Sequence, residues 1–213
     1  MSKVLILGAT GRIGSELARE AVSRGHQVTA VARDVASAPA IDGVTWLPLD
    51  AGNATAVAEA ARGQDAVLAS VSGRKSGHDS VPRIARGLLE EALPQAGVRR
   101  LLWVGGAGSL EVAPGVRVID TPDFPEAWKP EAAGQAAALE VFRTSGAAVD
   151  WTFFSPAALI EPGERTGQYR VGGDQLLVDA NGRSRISISD FAVALLDELE
   201  KTAHPRQRVT IAY

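Results

Sequence analysis

The sequence predicts an α/β fold, a doubly wound parallel sheet with helices on both faces. Three observations carry that expectation. Short, continuous apolar runs alternate with stretches of helical spacing along the chain. The runs lack the polar alternation of a half-exposed strand, as strands buried on both faces of a parallel sheet require. A glycine-spaced turn, Gly8-Ala9-Thr10-Gly11-Arg12-Ile13-Gly14, joins the first apolar run to the first helical stretch.

Each element follows from its residues. Residues 4–7 are apolar and stop at Gly8, so they read as a buried strand. Residues 13–23 place Ile13, Leu17, Ala18, Ala21 and Val22 on one helical face, and Gly25 ends the helix. Residues 28–32 are the next strand, closing a βαβ unit. The alternation continues with strand 44–47, helix 54–62, strand 66–70, helix 81–95 with Pro82 near its first turn, strand 101–104, helix 131–144 and strand 151–154. The stretch 105–130 holds four prolines without a clean period, and a loop of that length inside a domain is usually functional. Beyond residue 155, strands are expected at 168–171, 175–178, 185–188 and 208–212. A helix is expected at 190–201, with Ser189 as its N-cap. The expectation is one domain over 1–213, in which 155–190 form a small substrate lobe over the carboxyl edge of the sheet.

Composition narrows the chemistry. The chain has 213 residues, 46% of them apolar and 22% charged, which describes an ordinary globule. It has no cysteine, so thiol nucleophiles, disulfides and Cys-ligated metals are excluded. Its three histidines, His26, His78 and His204, show no metal-binding spacing. A net charge of −3 argues against a nucleic-acid partner. No apolar run reaches the length of a membrane span, and the strand pattern begins at once, so a cytoplasmic protein without a signal peptide or membrane partner is expected.

The glycine turn has the context of a phosphate cradle, with a strand before it and a helix after it. Gly8 allows the sharp exit from the strand, Gly11 lets backbone N–H groups approach a pyrophosphate, and Gly14 lets the helix pack closely on the sheet. The helix N-terminus then stabilises the negative charge. NAD-binding proteins end the second strand in an acid, which accepts from the ribose 2′-hydroxyl and repels a 2′-phosphate. Here that strand ends Val31-Ala32-Arg33-Asp34, and Arg12 projects from the turn toward the same place. Two guanidinium groups suit a 2′-phosphate, so NADPH is expected over NADH, while Asp34 leaves NADH open.

At this turn, through its Gly-x-x-Gly-x-x-Gly spacing, the chain resembles the atypical short-chain dehydrogenase/reductase superfamily. The tail narrows the resemblance through Asp150-Trp-Thr-Phe-Phe-Ser155-Pro156, Glu161-Pro-Gly, Thr166-Gly-Gln-Tyr169 and Ser184-Arg-Ile-Ser187. This order is similar to the NAD(P)H-binding proteins that include flavin reductase/biliverdin reductase B and bacterial NADH-flavin reductases. The resemblance implies an NAD(P)-binding Rossmann fold. It also implies reduction of a flavin, quinone or similar conjugated small-molecule acceptor, with flavin as substrate, by a monomer or homodimer. By the same analogy Asp50 lies near the adenine ring. Ala69, Ser70, Val71 and Ser72 line the cofactor ribose, and Ser155 and Pro156 border the nicotinamide. Asp50 as a cap of the helix near Ala54, and Ser72 as a plain loop residue, are the alternatives.

The departures from that superfamily constrain the reaction. Its usual active-site pair is Tyr-x-x-x-Lys, and neither Tyr169 nor Tyr213 has a lysine four residues on. Around the expected place stand Trp128-Lys129-Pro130, then Gln135 and Ala136. Gly105-Gly106 replace the serine after the fifth strand, with Ser109 three residues later. Ala157-Ala158 stand where biliverdin reductase B has a histidine. Epimerase or dehydratase chemistry therefore loses its usual acid. Hydride transfer needs mainly positioning, and the chemistry belongs to the bound cofactors. Ser109 and Ser155 are the candidate catalytic side chains. Protons come from water, or with help from Ser109, Lys129 or His78, the last in a polar loop at 73–79 that reads as a lid or as a plain solvated loop. Trp103, Phe124 and Trp128 offer aromatic surface for an acceptor, or pack the core. The rival from another class is a non-catalytic NADP(H)-binding sensor that regulates a protein partner.

Overall fold

The computed structural model describes residues 1–74 and 76–213. Strand β1 (Lys3–Leu7) leads through the glycine turn into α1 (Arg12–Ser23), which returns to β2 (Gln27–Ala32). Then come β3 (Val44–Pro48), α2 (Ala54–Ala61) and β4 (Ala66–Ala69). The next helical stretch is composite: α3 (Ser80–Arg86), a π-wound turn over Gly87–Ala92, and α4 (Leu93–Ala96). After β5 (Arg100–Val104), a hairpin of β6 (Glu111–Ala113) and β7 (Val116–Arg117) precedes α5 (Lys129–Thr144) and β8 (Asp150–Pro156). The chain ends with β9 (Leu159–Glu161), β10 (Arg170–Gly172), β11 (Arg185–Ser187), α6 (Ile188–Lys201) and β12 (Gln207–Ala212).

Eight strands form one sheet in the order β10-β12-β8-β5-β4-β1-β2-β3. All neighbours are parallel except the edge pair β10 and β12. Strand periodicity divides the apolar residues between two cores. Val4 and Ile6 face α1 and α6, whereas Leu5 and Leu7 face α2, α3 and α5. Phe142 of α5 anchors the second core, edge-on to Trp103, Trp151 and Phe153 with ring centroids 5.3–5.5 Å apart. The doubly wound Rossmann-like fold expected from the sequence is thus present.

The order places β1 beside β4, where the chain turns from building one half of the sheet to building the other. In an open α/β sheet, ligands bind at the carboxyl ends of the strands at that reversal. Ser70 N–H donates to the Leu7 carbonyl at 2.9 Å, so the exits of β1 and β4 run side by side there.

Several local expectations need correction. Residues 175–178 form no strand and make only a single bridge, Glu111 to Gln175; the segment is held by bonds such as Leu176 N–H to the Glu111 carbonyl. The strand expected at 168–171 lies at Arg170–Gly172. The N-cap of α6 is Ser187, whose hydroxyl accepts from Asp190 N–H at 2.9 Å. Ser189 instead donates to Glu16 and to the Gly163 carbonyl. The long loop carries the β6–β7 hairpin and two 3-10 turns. Of its neighbouring aromatic residues, Trp103 is a core residue of β5 with no exposure, so it offers no stacking surface, while Trp128 is 56% exposed. Among the described residues no helix is long and apolar enough to cross a membrane.

Candidate functional site

The glycine turn fits its physical role closely. Gly8 has φ +78°, a backbone conformation that disfavours other residues, and a Cβ there would stand 2.0 Å from the Ser70 carbonyl oxygen. A Cβ on Gly14 would lie 2.2 Å from the Gly8 carbonyl oxygen, so only glycine lets α1 pack this closely. Gly11 is exposed and meets only Gly8 O at 3.4 Å, leaving open space beside the helix end. Helix α1 has no side-chain N-cap and no acid in its first turn; α3 and α5 also lack a side-chain cap, whereas α2 is capped by Asn53 and α6 by Ser187. An uncapped helix end holds free N–H donors and a positive dipole end, a donor set suited to a pyrophosphate. The buried Ala9, exposed Thr10 and half-buried Ile13 complete the turn.

Arg12 opens α1 and Arg33 directly follows β2; both are exposed, and among the described residues neither guanidinium has a hydrogen bond. Asp34 is engaged differently, its carboxylate accepting from Ala36 N–H at 3.0 Å. Asp50 accepts from Gly52 N–H at 2.9 Å, and Asn53, not Asp50, caps α2.

The exit of β4 is gripped by α5. Ala69 is buried, Ser70 and Val71 are half-buried and Ser72 is exposed, with its hydroxyl accepting from Arg74 N–H at 3.2 Å. Gln135 donates to the Val71 carbonyl at 3.0 Å and accepts from Trp103 Nε1 at 3.1 Å. One helical turn earlier, Glu131 accepts from Gly73 N–H at 3.2 Å and pairs with His78 Nδ1 at 3.2 Å. Glu131 and Gln135 have the same i, i+4 spacing as a Tyr-x-x-x-Lys pair. Sequence reasoning noticed Gln135 and His78 but missed Glu131, because no local pattern links residues 131 and 78. Within the lid loop proposed at 73–79, Lys75 lies outside the described residues. The other two histidines pair with acids of α6, His26 with Glu200 at 3.1 Å and His204 with Glu198 at 2.8 Å.

Ser109 and Ser155 meet at a single side chain. Arg208 of β12 donates to the Ser109 carbonyl at 3.1 Å and to the Ser155 hydroxyl at 3.4 Å, while its Nε donates to Asp174 at 2.7 Å. Ser155 and Pro156 are buried at the end of β8, and Ser109 is half-buried. Arg208, Ser109 and Asp174 line a cavity of about 530 Å³ along the outer flank of α5. Its charges are balanced, Arg117, Arg143 and Arg208 against Glu111, Glu140 and Asp174. Gly105 explains the absent serine after β5: a Cβ there would lie 2.0 Å from the buried Phe153 ring.

The decisive comparison is a match of residues 8–199 to the NAD(P)H-binding family model. The chain belongs to that NAD(P)H-binding family. It is 41% identical over 212 residues to the uncharacterized protein YwnB of Bacillus subtilis strain 168, covering 98% of this chain and 97% of that one. Among solved structures it is similar to a provisionally assigned epimerase from Bacteroides thetaiotaomicron, with 37% identity and a TM-score of 0.90. That match covers 100% of this chain and 97% of the other. It is also similar to SP1627 of Streptococcus pneumoniae TIGR4, provisionally assigned as an NADH-flavin reductase. There the identity is 34% and the TM-score 0.85, over 100% of this chain and 99% of the other.

Proposed function

We propose that this family member is an NADPH-dependent oxidoreductase whose acceptor is a flavin, a quinone or a similar conjugated small molecule. The observation that carries the reading is the uncapped α1 N-terminus at the sheet's reversal point, where Gly8 and Ser70 are in contact. That cradle orients a dinucleotide by its pyrophosphate and directs its far end across β4 toward β5 and β8. When bound, the reduced nicotinamide supplies a hydride. The chain supplies position and a dry wall: Ala69 to Ser72 against the ribose, and buried Ser155 and Pro156 beside the ring. Arg12 and Arg33, both free of hydrogen bonds among the described residues, would take a 2′-phosphate, while the Asp34 carboxylate accepts from Ala36 N–H.

The choice of acceptor rests on the chemistry the chain lacks and on the likeness to the Streptococcus protein. An epimerase reading, which the name of the Bacteroides protein suggests, would call for the tyrosine and lysine of the Tyr-x-x-x-Lys pair beside the nicotinamide, which this chain lacks. At the Tyr-x-x-x-Lys spacing α5 instead offers Glu131 and Gln135, both hydrogen-bonded to the β4 loop. Steady-state oxidation of NADPH with FMN, riboflavin and naphthoquinones tests the proposal. Saturable turnover with at least one of them is expected. Tight NADPH binding without turnover on any acceptor would leave the sensor reading in its place.

A further inference from the structure

We infer that His78, oriented by Glu131, is the proton donor to the acceptor; the inference rests on the reductase reading above. Glu131 reaches across 58 residues of sequence to Gly73 N–H and across 53 to His78 Nδ1, each at 3.2 Å. Two glycines allow close packing at His78. A Cβ on Gly73 would lie 2.5 Å from His78 Cα, and one on Gly134 of α5 would lie 2.9 Å from the His78 carbonyl oxygen. An ionised carboxylate has no hydrogen to donate, so opposite it Nδ1 is the donor and carries hydrogen. This leaves Nε2 as the atom that gains and gives the second proton. Among the described residues Nε2 makes no hydrogen bond, and the side chain is 35% exposed.

The position matters as much as the pairing. His78 is fastened to the same face of α5 that binds the Val71 carbonyl, beside the 69–72 segment assigned to the cofactor ribose. By contrast, His26 and His204 are held by α6, against the opposite core. The step balances simply. The hydride, with its two electrons, comes from the reduced nicotinamide. The acceptor heteroatom that gains the displaced electron pair takes the proton from Nε2, and the neutral imidazole regains a proton from water. Glu131 is a positioning residue that holds the ring's orientation through Nδ1.

Two measurements on the whole chain test this. In ¹H–¹⁵N spectra of the histidine-labelled protein, identified with His78→Gln, the His78 ring should be protonated at Nδ1, and Glu131→Gln should abolish that preference. NADP⁺ should shift the His78 ring signals while those of His26 and His204 stay in place. In turnover, His78→Gln should lower kcat by about 100-fold or more with the NADPH Kd unchanged, and imidazole should partly restore His78→Gly. An unmoved His78 signal at NADP⁺ saturation overturns the inference, as does undiminished turnover by His78→Gln. Undiminished turnover by that variant removes the role of His78 alone. An unaltered protein that oxidises NADPH with no acceptor removes the reductase reading and the role with it.

Discussion

Gly14 has no spare room: its Cα hydrogens face the Gly8 carbonyl where a Cβ would intrude to 2.2 Å. Gly14→Ala should therefore push α1 off the sheet, lowering stability by about 1–3 kcal/mol in urea denaturation and weakening NADPH binding at least about tenfold, or 1.4 kcal/mol. Among the described residues the Arg33 side chain makes no hydrogen bond, so its removal costs the fold no such bond and tests the proposed 2′-phosphate role alone. Arg33→Ala should raise the NADPH Kd about tenfold, as expected for loss of a charge-assisted pair, and leave NADH binding unchanged in calorimetric titration. Equal weakening of both would remove the 2′-phosphate role. Residue by residue, the glycine turn was legible because its task is local and needs a fixed spacing. The Glu131–His78 pair was not, because it forms only when α5 packs against the exit of β4.

Among the elements, α5 joins site and core. Its first turns hold Glu131 and Gln135 against the β4 loop, and its last turns bury Phe142 among three aromatic rings. Phe142→Ala should cost about 3–5 kcal/mol in chemical denaturation, the expected size for emptying a close-packed aromatic site. Continuous apolar runs announced the central strands, since burial on both faces leaves that signature. The tail was less legible for physical reasons. Strand β10 is an edge strand with only one neighbour in the sheet, so its sequence is partly polar and its limits shift by two residues. Residues 175–178 look strand-like because of their apolar run, but backbone bonds to Glu111 leave them a single bridge. At α6, Ser187 and Ser189 are both capping residues by type. The choice fell to Ser187 because Ser189 is drawn to Glu16 of α1.

Across the whole molecule, charged groups tie the tail to the first helix. Arg165 donates twice to the buried Glu20 at 2.8 Å, and Arg24 joins it at 2.8 Å while also reaching Asp197. The Arg165 guanidinium, against the opposing effect of burial and with help from Arg24, holds the Glu20 carboxyl below its ordinary value. Burial opposes ionisation of Asp190 too, but bonds from Thr166, Tyr213 and Gly167 N–H outweigh it and keep that carboxyl low. Carboxyls depressed in the folded state stabilise it fully above their unfolded values and lose that contribution as pH falls through the folded ones. The melting temperature should therefore fall as pH drops below the ordinary carboxylate range. Glu20→Gln should flatten part of that fall while costing about 2 kcal/mol at neutral pH, as loss of charged hydrogen bonds predicts. A variant with an unchanged acid profile would show that the tie contributes nothing.

In the proposed reading the reversal point of the sheet cradles the cofactor's phosphates and the carboxyl edge positions it for hydride transfer. The most direct measurement is a single turnover without oxygen, mixing protein loaded with NADPH against excess FMN or a naphthoquinone. Bound NADPH should disappear in one exponential, in proportion to the protein present and faster than in the protein-free mixture. NADPH that stays bound and reduced, decaying no faster than in free solution with every acceptor, would contradict that reading.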